Sequence, residues 1–406
     1  MFGTLIAQLV PVLGTVIFAK LYQPEDLGLF QTYFGYSMVL SVLVTMRYEM
    51  AIILPDKKSD ALQLMYLCLG VGLALTVLQL IVFFLFENSI LELIGGIEMK
   101  GYLFLLPFTV FIIGISQVLN YWCNREEEYK LLASNRIFRA VYSLSTSISL
   151  FKFKALGLIL GDTIGQLLSV LSISFLLKRK NKIQLVKPDY ATIKHLAHRY
   201  SQFPFFNVPS GLLEKVSSNL PSLIFLSFFS PSILGYFALT QRIIGLPGAL
   251  IARAYGDVFR QQASIIYRKE KNCKALFIKT FKALVFIAIP LFVLLFFMVQ
   301  PAFDLVFGEK WKIAGVFAQY LMPMFFLQFI VSPLSSMFLV AEKQKADLIL
   351  QICLLLSLLT SFFIGIKLHF NADKIIICFG IVYCFKYLVE LYLSYKFSKT
   401  VYASNE

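Results

Sequence analysis

The sequence predicts an all-α, polytopic membrane protein with about twelve transmembrane helices in two six-helix lobes, and three observations predict it. The 406-residue chain is 58% hydrophobic and only 15% charged, with a mean hydropathy of +0.76, whereas a soluble domain carries about 25% charge. Its apolar residues come in blocks of about 20, the helix length that crosses a hydrocarbon core of about 30 Å. A short motif also recurs at a fixed offset on either side of the chain's midpoint.

In chain order the blocks lie near 1–22, 27–55, 60–86, 101–122, 131–151, 155–178, 203–229, 234–259, 277–299, 313–340, 346–366 and 374–397. The fifth is the most polar at its start, because Arg136 and Arg139 sit in its first turns. No cleavable signal peptide is expected, since the first block leads straight into the polytopic pattern. The six cysteines form no CxxC pair and read as small hydrophobes.

The net charge of +14 marks orientation and requires no nucleic-acid partner. Of the 37 Lys and Arg, 24 lie at the turnings after even-numbered blocks and at the C-terminus when the adjoining block ends are counted with them, among them Lys57, Lys58, Arg125, Arg136, Arg139 and the run Lys178-Arg179-Lys180. On the same count eight lie at the odd-numbered loops, and the other five are Arg47, Lys215, Arg242, Arg253 and Lys386 inside blocks. A threefold bias of this kind is the positive-inside pattern. It places both termini and the linker 181–202 of a multi-pass membrane protein in the cytoplasm.

Residues 17–30, "IFAKLYQPEDLGLF", and 224–237, "IFLSFFSPSILGYF", match at an offset of 207 in Ile17/Ile224, Phe18/Phe225, Pro24/Pro231, Leu27/Leu234, Gly28/Gly235 and Phe30/Phe237. Each match falls at the end of one block, a short outer turn and the start of the next. Proline pre-sets such a turn and suits a first helical position. Two halves of six spans follow: an N-lobe over 1–180, the linker 181–202 and a C-lobe over 203–406. Six is even, so the halves share one orientation. This is the parallel-repeat plan, with a binding site where the halves meet. The repeat also answers a rival reading, a membrane glycosyltransferase that uses Glu25-Asp26 on a lipid-linked donor. The matching pair is Ser232-Ile233, so the slot does not demand carboxylates, and acidic residues there suit a helix N-terminus.

Charges at membrane depth supply the candidate site, because a charged side chain at the bilayer centre costs about 2.5–3.5 kcal/mol on insertion scales and reads as functional by default. Arg242 and Arg253 in block 8 are 11 residues apart, close to three helical turns, with a kink or broken turn expected at Gly245-Leu246-Pro247-Gly248 between them. Asp257 lies four residues beyond Arg253, where it can pair with it. Block 7 carries Glu214 and Lys215; block 2 carries Arg47 and Glu49, whose spacing of two would put them on different helix faces. Asp162 lies in block 6, and Lys386 and Glu390 lie four apart in block 12. We take Arg47, Lys215, Arg242 and Arg253 as candidate substrate-binding residues. Glu49, Asp162, Glu214, Asp257, Lys386 and Glu390 are candidates for coupling or ion pairing. Asp162 and Glu214 are the acids best placed to carry a coupling H+ or Na+. A set of this kind leaves a cationic cavity suited to a phosphate group, which arginine grips bidentately; pairing between helices is the plainer alternative.

The sequence contains no GxxxxGK[ST] phosphate loop, HExxH or CxxC pattern, so neither direct ATP hydrolysis, a metal site nor any cofactor is expected. The longest outer loops, 87–100 and 300–312, are too short for a folded extracytoplasmic domain. The loop "PDKKSDA" lacks the GxxxDRxGRR pattern of major-facilitator carriers. A transporter is the reading that survives, rather than an enzyme.

The segments "GTLIAQLVPVLGTVIFAKLYQPEDLGLF", "RYEMAIILPDKKSDA" and "RIIGLPGALIARAYGDVF" resemble the polysaccharide-export branch of the multidrug/oligosaccharidyl-lipid/polysaccharide superfamily, the Wzx-type O-antigen and lipid-linked oligosaccharide flippases. The resemblance implies two lobes forming a V, as in MATE transporters, with helices 1, 2, 7 and 8 lining a central cavity. It implies alternating access that carries an undecaprenyl-pyrophosphate-linked oligosaccharide, such as a lipopolysaccharide repeat unit, to the outer leaflet. Other polysaccharide-assembly membrane proteins would be its partners. Carried over, Arg47, Glu49, Arg242 and Arg253 become cavity residues. A MATE-type drug/cation antiporter is the runner-up, although block 1 holds none of the acids such proteins use.

Overall fold

The structure, a computed structural model, describes residues 14–399 apart from 95, 184–186, 271 and 342; within its helices, side chains are described except at 93, 94, 96, 97, 221, 222, 224–228, 246–254, 257, 268 and 344. Among the described residues there are helices and turns and no strand.

Helix α1 covers 14–21 and α2 runs Pro24–Leu40. Pro24 opens α2 at a position where its missing N–H costs nothing. Asp26 then works as the cap the sequence suggests: one oxygen accepts from the Gln23 N–H at 3.1 Å, and the other accepts from the Ala155 N–H at 3.0 Å. A 3-10 helix follows at Tyr48–Ile53, then α3 at Lys58–Leu85, α4 at Glu87–Ile94 and a second 3-10 stretch at Gly96–Leu105. Next come α5 at Leu106–Arg125, α6 at Tyr129–Ser149, α7 at Ala155–Arg179 and the short α8 at Tyr190–Arg199. A π-helical turn, Phe203–Asn207, leads into α9, Val208–Phe228. The remainder is α10 at Pro231–Glu270, α11 at Lys274–Phe307, α12 at Lys312–Leu334, α13 at Met337–Val340, α14 at Gln344–Lys367 and α15 at Ala372–Phe397.

Seven described helical stretches are long and apolar enough to cross a membrane: Lys58–Leu85, Glu98–Arg125, Ala155–Arg179, Lys274–Phe307, Glu309–Val340, Lys345–Lys367 and Ala372–Phe397. The apolar windows of the first and fourth are only 22% buried, so lipid must cover the rest. The other expected blocks differ for local reasons. The first lies mostly outside the described residues. The second is interrupted after 17 helical residues, and α6 is rich in Ser and Thr and carries Arg136 and Arg139. No broken turn is found at 245–248: α10 is continuous over 40 residues. A proline within a membrane helix is tolerated where neighbouring groups re-satisfy the backbone.

By packing, the chain falls into two compact units, 1–235 and 236–406. This division lies downstream of the linker 181–202 because α9 packs along α2. In the first unit α6 and α7 pack most closely. Cβ atoms added at Gly161 and Gly165 would lie 2.6 and 2.5 Å from the Cα atoms of Ser147 and Ser143, so only small residues allow this approach. The linker is held down as well. The Gln63 side-chain amide donates to the Lys187 carbonyl at 2.9 Å and accepts from the Asp189 N–H at 3.0 Å. Lys58–Glu126 at 3.1 Å and Lys180–Glu128 at 2.7 Å tie the starts and ends of α3, α5, α6 and α7 together.

The repeat found in the sequence is also a contact. A Cβ on Gly28 would lie 2.7 Å from the Pro231 carbonyl carbon, with the oxygen closer still; a Cβ on Gly235 meets the Pro24 carbonyl in the same way. Ser232 donates to Glu25 at 2.5 Å across 207 residues. Pro24/Pro231, Glu25/Ser232 and Gly28/Gly235 are all repeat mates, so each glycine meets the proline of the other copy and Glu25 meets the second copy of its own position.

The second unit is built on aromatic packing. Phe292 sits edge-on to Phe326 and Phe329, each 5.8 Å away, where α11 crosses α12. Phe237 meets Phe379, which continues through Tyr383 to Tyr387 along α15.

Candidate functional site

The site begins where α2 stops. Beyond Leu40 the backbone changes to i→i−3 hydrogen bonds, including Met46 N–H to the Leu43 carbonyl at 2.8 Å and Tyr48 N–H to Thr45 at 3.1 Å. Met46 and Arg47 both adopt left-handed conformations, with φ of 50° and 61°. Two consecutive non-glycine residues in this region cost about 1–3 kcal/mol each, a strain that persists only where the surroundings enforce it. Helices interrupted inside the membrane commonly frame binding sites.

The interruption overturns the expectation that Arg47 and Glu49 diverge. That expectation assumed a continuous helix; the left-handed step swings them together instead. An Arg47 Nη1 atom lies 3.7 Å from Glu49 Oε1, with side-chain exposures of 17% and 0%. The other Glu49 oxygen accepts from the Thr45 hydroxyl at 2.5 Å. Among the described residues, Arg47 Nε and Glu49 Oε1 are both buried without a hydrogen-bond partner. On the far side, the guanidinium lies against Gly211 of α9, where a Cβ would stand 3.0 Å from Nε and 3.1 Å from Cζ. Asn207, at the end of the π-helical turn, donates to the Met50 sulfur at 3.4 Å. Beneath the pair lies an apolar cluster that includes Ala51, Ile52, Cys68 and Trp122. Burying an ion pair in such surroundings is at best neutral for stability, so its retention calls for another reason.

The remaining candidates are distributed as follows. Lys215 stands one turn beyond Gly211 and so on the same face of α9. It is 3.3 Å from Glu214, and the two side chains are 34% and 65% exposed. Asp162 pairs across helices, accepting from the Ser143 hydroxyl at 3.1 Å and lying 3.9 Å from Arg139. This offsets the positive charge that Arg139 contributes. Lys386 and Glu390 neutralise each other at 2.6 Å within α15. Arg242 is half-buried in α10. Arg253 and Asp257 also lie on α10, but their side chains fall outside the described residues. The structure therefore brings together Arg47 and Glu49 with Lys215 nearby. Thr45, Asn207 and Gly211 join the site unannounced; the glycine in "PSGLLEK" is the only sequence signal that could have pointed to any of them.

Comparison with known proteins agrees with this architecture. A family model described as "Polysaccharide biosynthesis protein" matches residues 17–316. No curated protein sequence matches. Among solved structures, the lipid II flippase MurJ in an inward closed conformation is similar at a TM-score of 0.80 and 16% identity, over 98% of this chain and 89% of that one. An inward-facing multidrug resistance MATE family transporter is similar at 0.73 and 17%, over 95% and 93%. The Vibrio cholerae MATE transporter VcmN is similar at 0.58 and 15%, over 97% and 93%. At these identities the likeness is one of fold.

Proposed function

The chain belongs to the polysaccharide biosynthesis family, and from that premise we propose that it is a flippase for an undecaprenyl-pyrophosphate-linked oligosaccharide. It would work by alternating access between two six-helix lobes in the bacterial cytoplasmic membrane, with both termini in the cytoplasm. The observation that carries the reading is the Arg47 guanidinium. It sits at an interrupted helix with a buried Nε that has no acceptor, and a buried unsatisfied donor costs about 1–3 kcal/mol, more when charged. Phosphate oxygens are the acceptors such a fork suits best. Lys215, Arg242 and Arg253 are the further basic residues we assign to the headgroup, while sugars occupy water and the prenyl tail stays in lipid.

The test is deletion in the native host followed by complementation. The deletion strain should accumulate a lipid-linked intermediate on the cytoplasmic side, wild type should clear it, and a stably inserted Arg47→Ala variant should not. Clearance by Arg47→Ala at the wild-type rate would remove the assigned role. Proteoliposomes that exchange organic cations but leave lipid-linked sugars in place would instead favour the MATE-type antiporter. Sugar release from a prenyl donor by the purified protein would favour a glycosyltransferase.

A further inference from the structure

We propose that Glu49 competes with the anionic headgroup for Arg47, so that cargo binding is linked to uptake of one proton by Glu49. The inference rests on the flippase reading, because it takes Arg47 as the headgroup's ligand.

The geometry shows a pair that is only half made. At 3.7 Å the Arg47–Glu49 contact is an ion pair but too long for a hydrogen bond. Arg47 Nε and Glu49 Oε1 both stay buried and without a hydrogen-bond partner among the described residues. Since buried polar groups are almost always satisfied, the pair is poised for a third group. Two oxygens of an incoming diphosphate can take Nε and an Nη together, which is the stronger, bidentate arrangement. On its other side the guanidinium is seated against Gly211, where any side chain would collide with Nε and Cζ.

Once the headgroup holds Arg47, Glu49 has lost the one cation it meets among the described residues. Its side chain is fully buried, so water cannot take the place of that cation. The titratable groups that face it are Arg47 from its own segment, Cys68 from α3 and Tyr121 from α5. From α9, Gly211 lies against Arg47, with Glu214 and Lys215 one turn further on. Neither Cys68 nor Tyr121 is cationic, and an unpaired carboxylate in an apolar site takes up a proton rather than stay charged. The proton comes from bulk water and turns the carboxylate into a carboxylic acid; no other bond changes. Thr45 can serve both states, because a hydroxyl donates to a carboxylate and accepts from a carboxylic acid. Linkage is reciprocal, so lowering the pH tightens cargo binding and cargo binding raises the site's proton affinity.

The test uses the purified full-length chain and farnesyl-diphospho-N-acetylglucosamine, a diphosphate diester whose own charge is constant between about pH 6 and pH 8. Calorimetry in buffers of different ionisation heat counts the protons taken up. Wild type should bind about tenfold more tightly for each unit the pH falls, with about one proton taken up per ligand. Glu49→Gln, which keeps the shape, should bind at one affinity throughout and take up none. A wild-type protein that binds the probe with no pH slope and no proton uptake overturns the proposal while the flippase reading stands. So does a Glu49→Gln variant that keeps the wild-type slope. Binding no tighter than that of Arg47→Ala at every pH overturns both. The proton count on wild type needs no variant to fold.

Discussion

Gly28 and Gly235 offer the sharpest perturbation. A methyl on Gly28 would be placed 2.7 Å from the Pro231 carbonyl carbon and 3.1 Å from the Gly235 nitrogen, and one on Gly235 would sit 2.7 Å from the Pro24 carbonyl carbon. Every obstructing atom is backbone, so no side chain can swing aside, and the two helix starts must separate. Overpacking of this kind costs about 1–3 kcal/mol, which outweighs the gain of about 1 kcal/mol from replacing glycine by alanine inside a helix. Both substitutions open the same seam. The double variant should therefore fall short of the summed single effects by about 0.5–3 kcal/mol. The assay is thermal unfolding of the purified protein in detergent for Gly28→Ala, Gly235→Ala and the pair, with Gly70→Ala as control. Gly70 has nothing within 4 Å of the added methyl, so its variant should melt at or above wild type. If Gly28→Ala melts like the control, or if the two seam effects simply add, the reciprocal contact does not constrain the protein as argued.

Three other outcomes follow from particular contacts. Gly211→Val should push the guanidinium off its seat and weaken binding of the farnesyl diphosphate diester about tenfold, or about 1.4 kcal/mol, with helix content by circular dichroism unchanged; unaltered binding would show that the seat is not needed. Lys386→Met leaves Glu390 buried without its cation and should cost about 3–5 kcal/mol in detergent melts, whereas Lys386→Met with Glu390→Leu should recover most of the loss. Lys180 donates to Glu128 and holds that carboxyl below its ordinary value of 4.5. Its contribution is present above that value and fades as the pH falls through the lowered folded value. Melting curves of wild type and Glu128→Gln should thus separate at neutral pH and converge in acid, and a constant gap at all pH values would contradict the assignment.

Much of the fold could be read from block length, because a bilayer imposes the same 20-residue requirement on every span. The paired turns were readable too, since Pro24/Pro231 and Gly28/Gly235 let the helices meet, and Asp26 caps as its position suggested. The site was less legible. Residues 41–54 hold neither glycine nor proline, so nothing local announces the left-handed step at Met46 and Arg47. A helical wheel therefore put Arg47 and Glu49 apart when tertiary packing brings them together. Asp162 looked like a lone acid because its partner Arg139 belongs to another helix, and spacing within one segment carries no trace of a neighbour.

The self-facing turn explains an asymmetry in the chain's ancestry. If the two halves arose by duplication, every side chain on their shared axis first confronted its identical twin. Twin glycines and twin prolines tolerate that, but twin glutamates at position 25 and its copy would repel across the gap that now holds a 2.5 Å hydrogen bond. Serine in one copy and glutamate in the other resolves the clash. Divergence at this one position is therefore as much a requirement of the architecture as identity is at its neighbours.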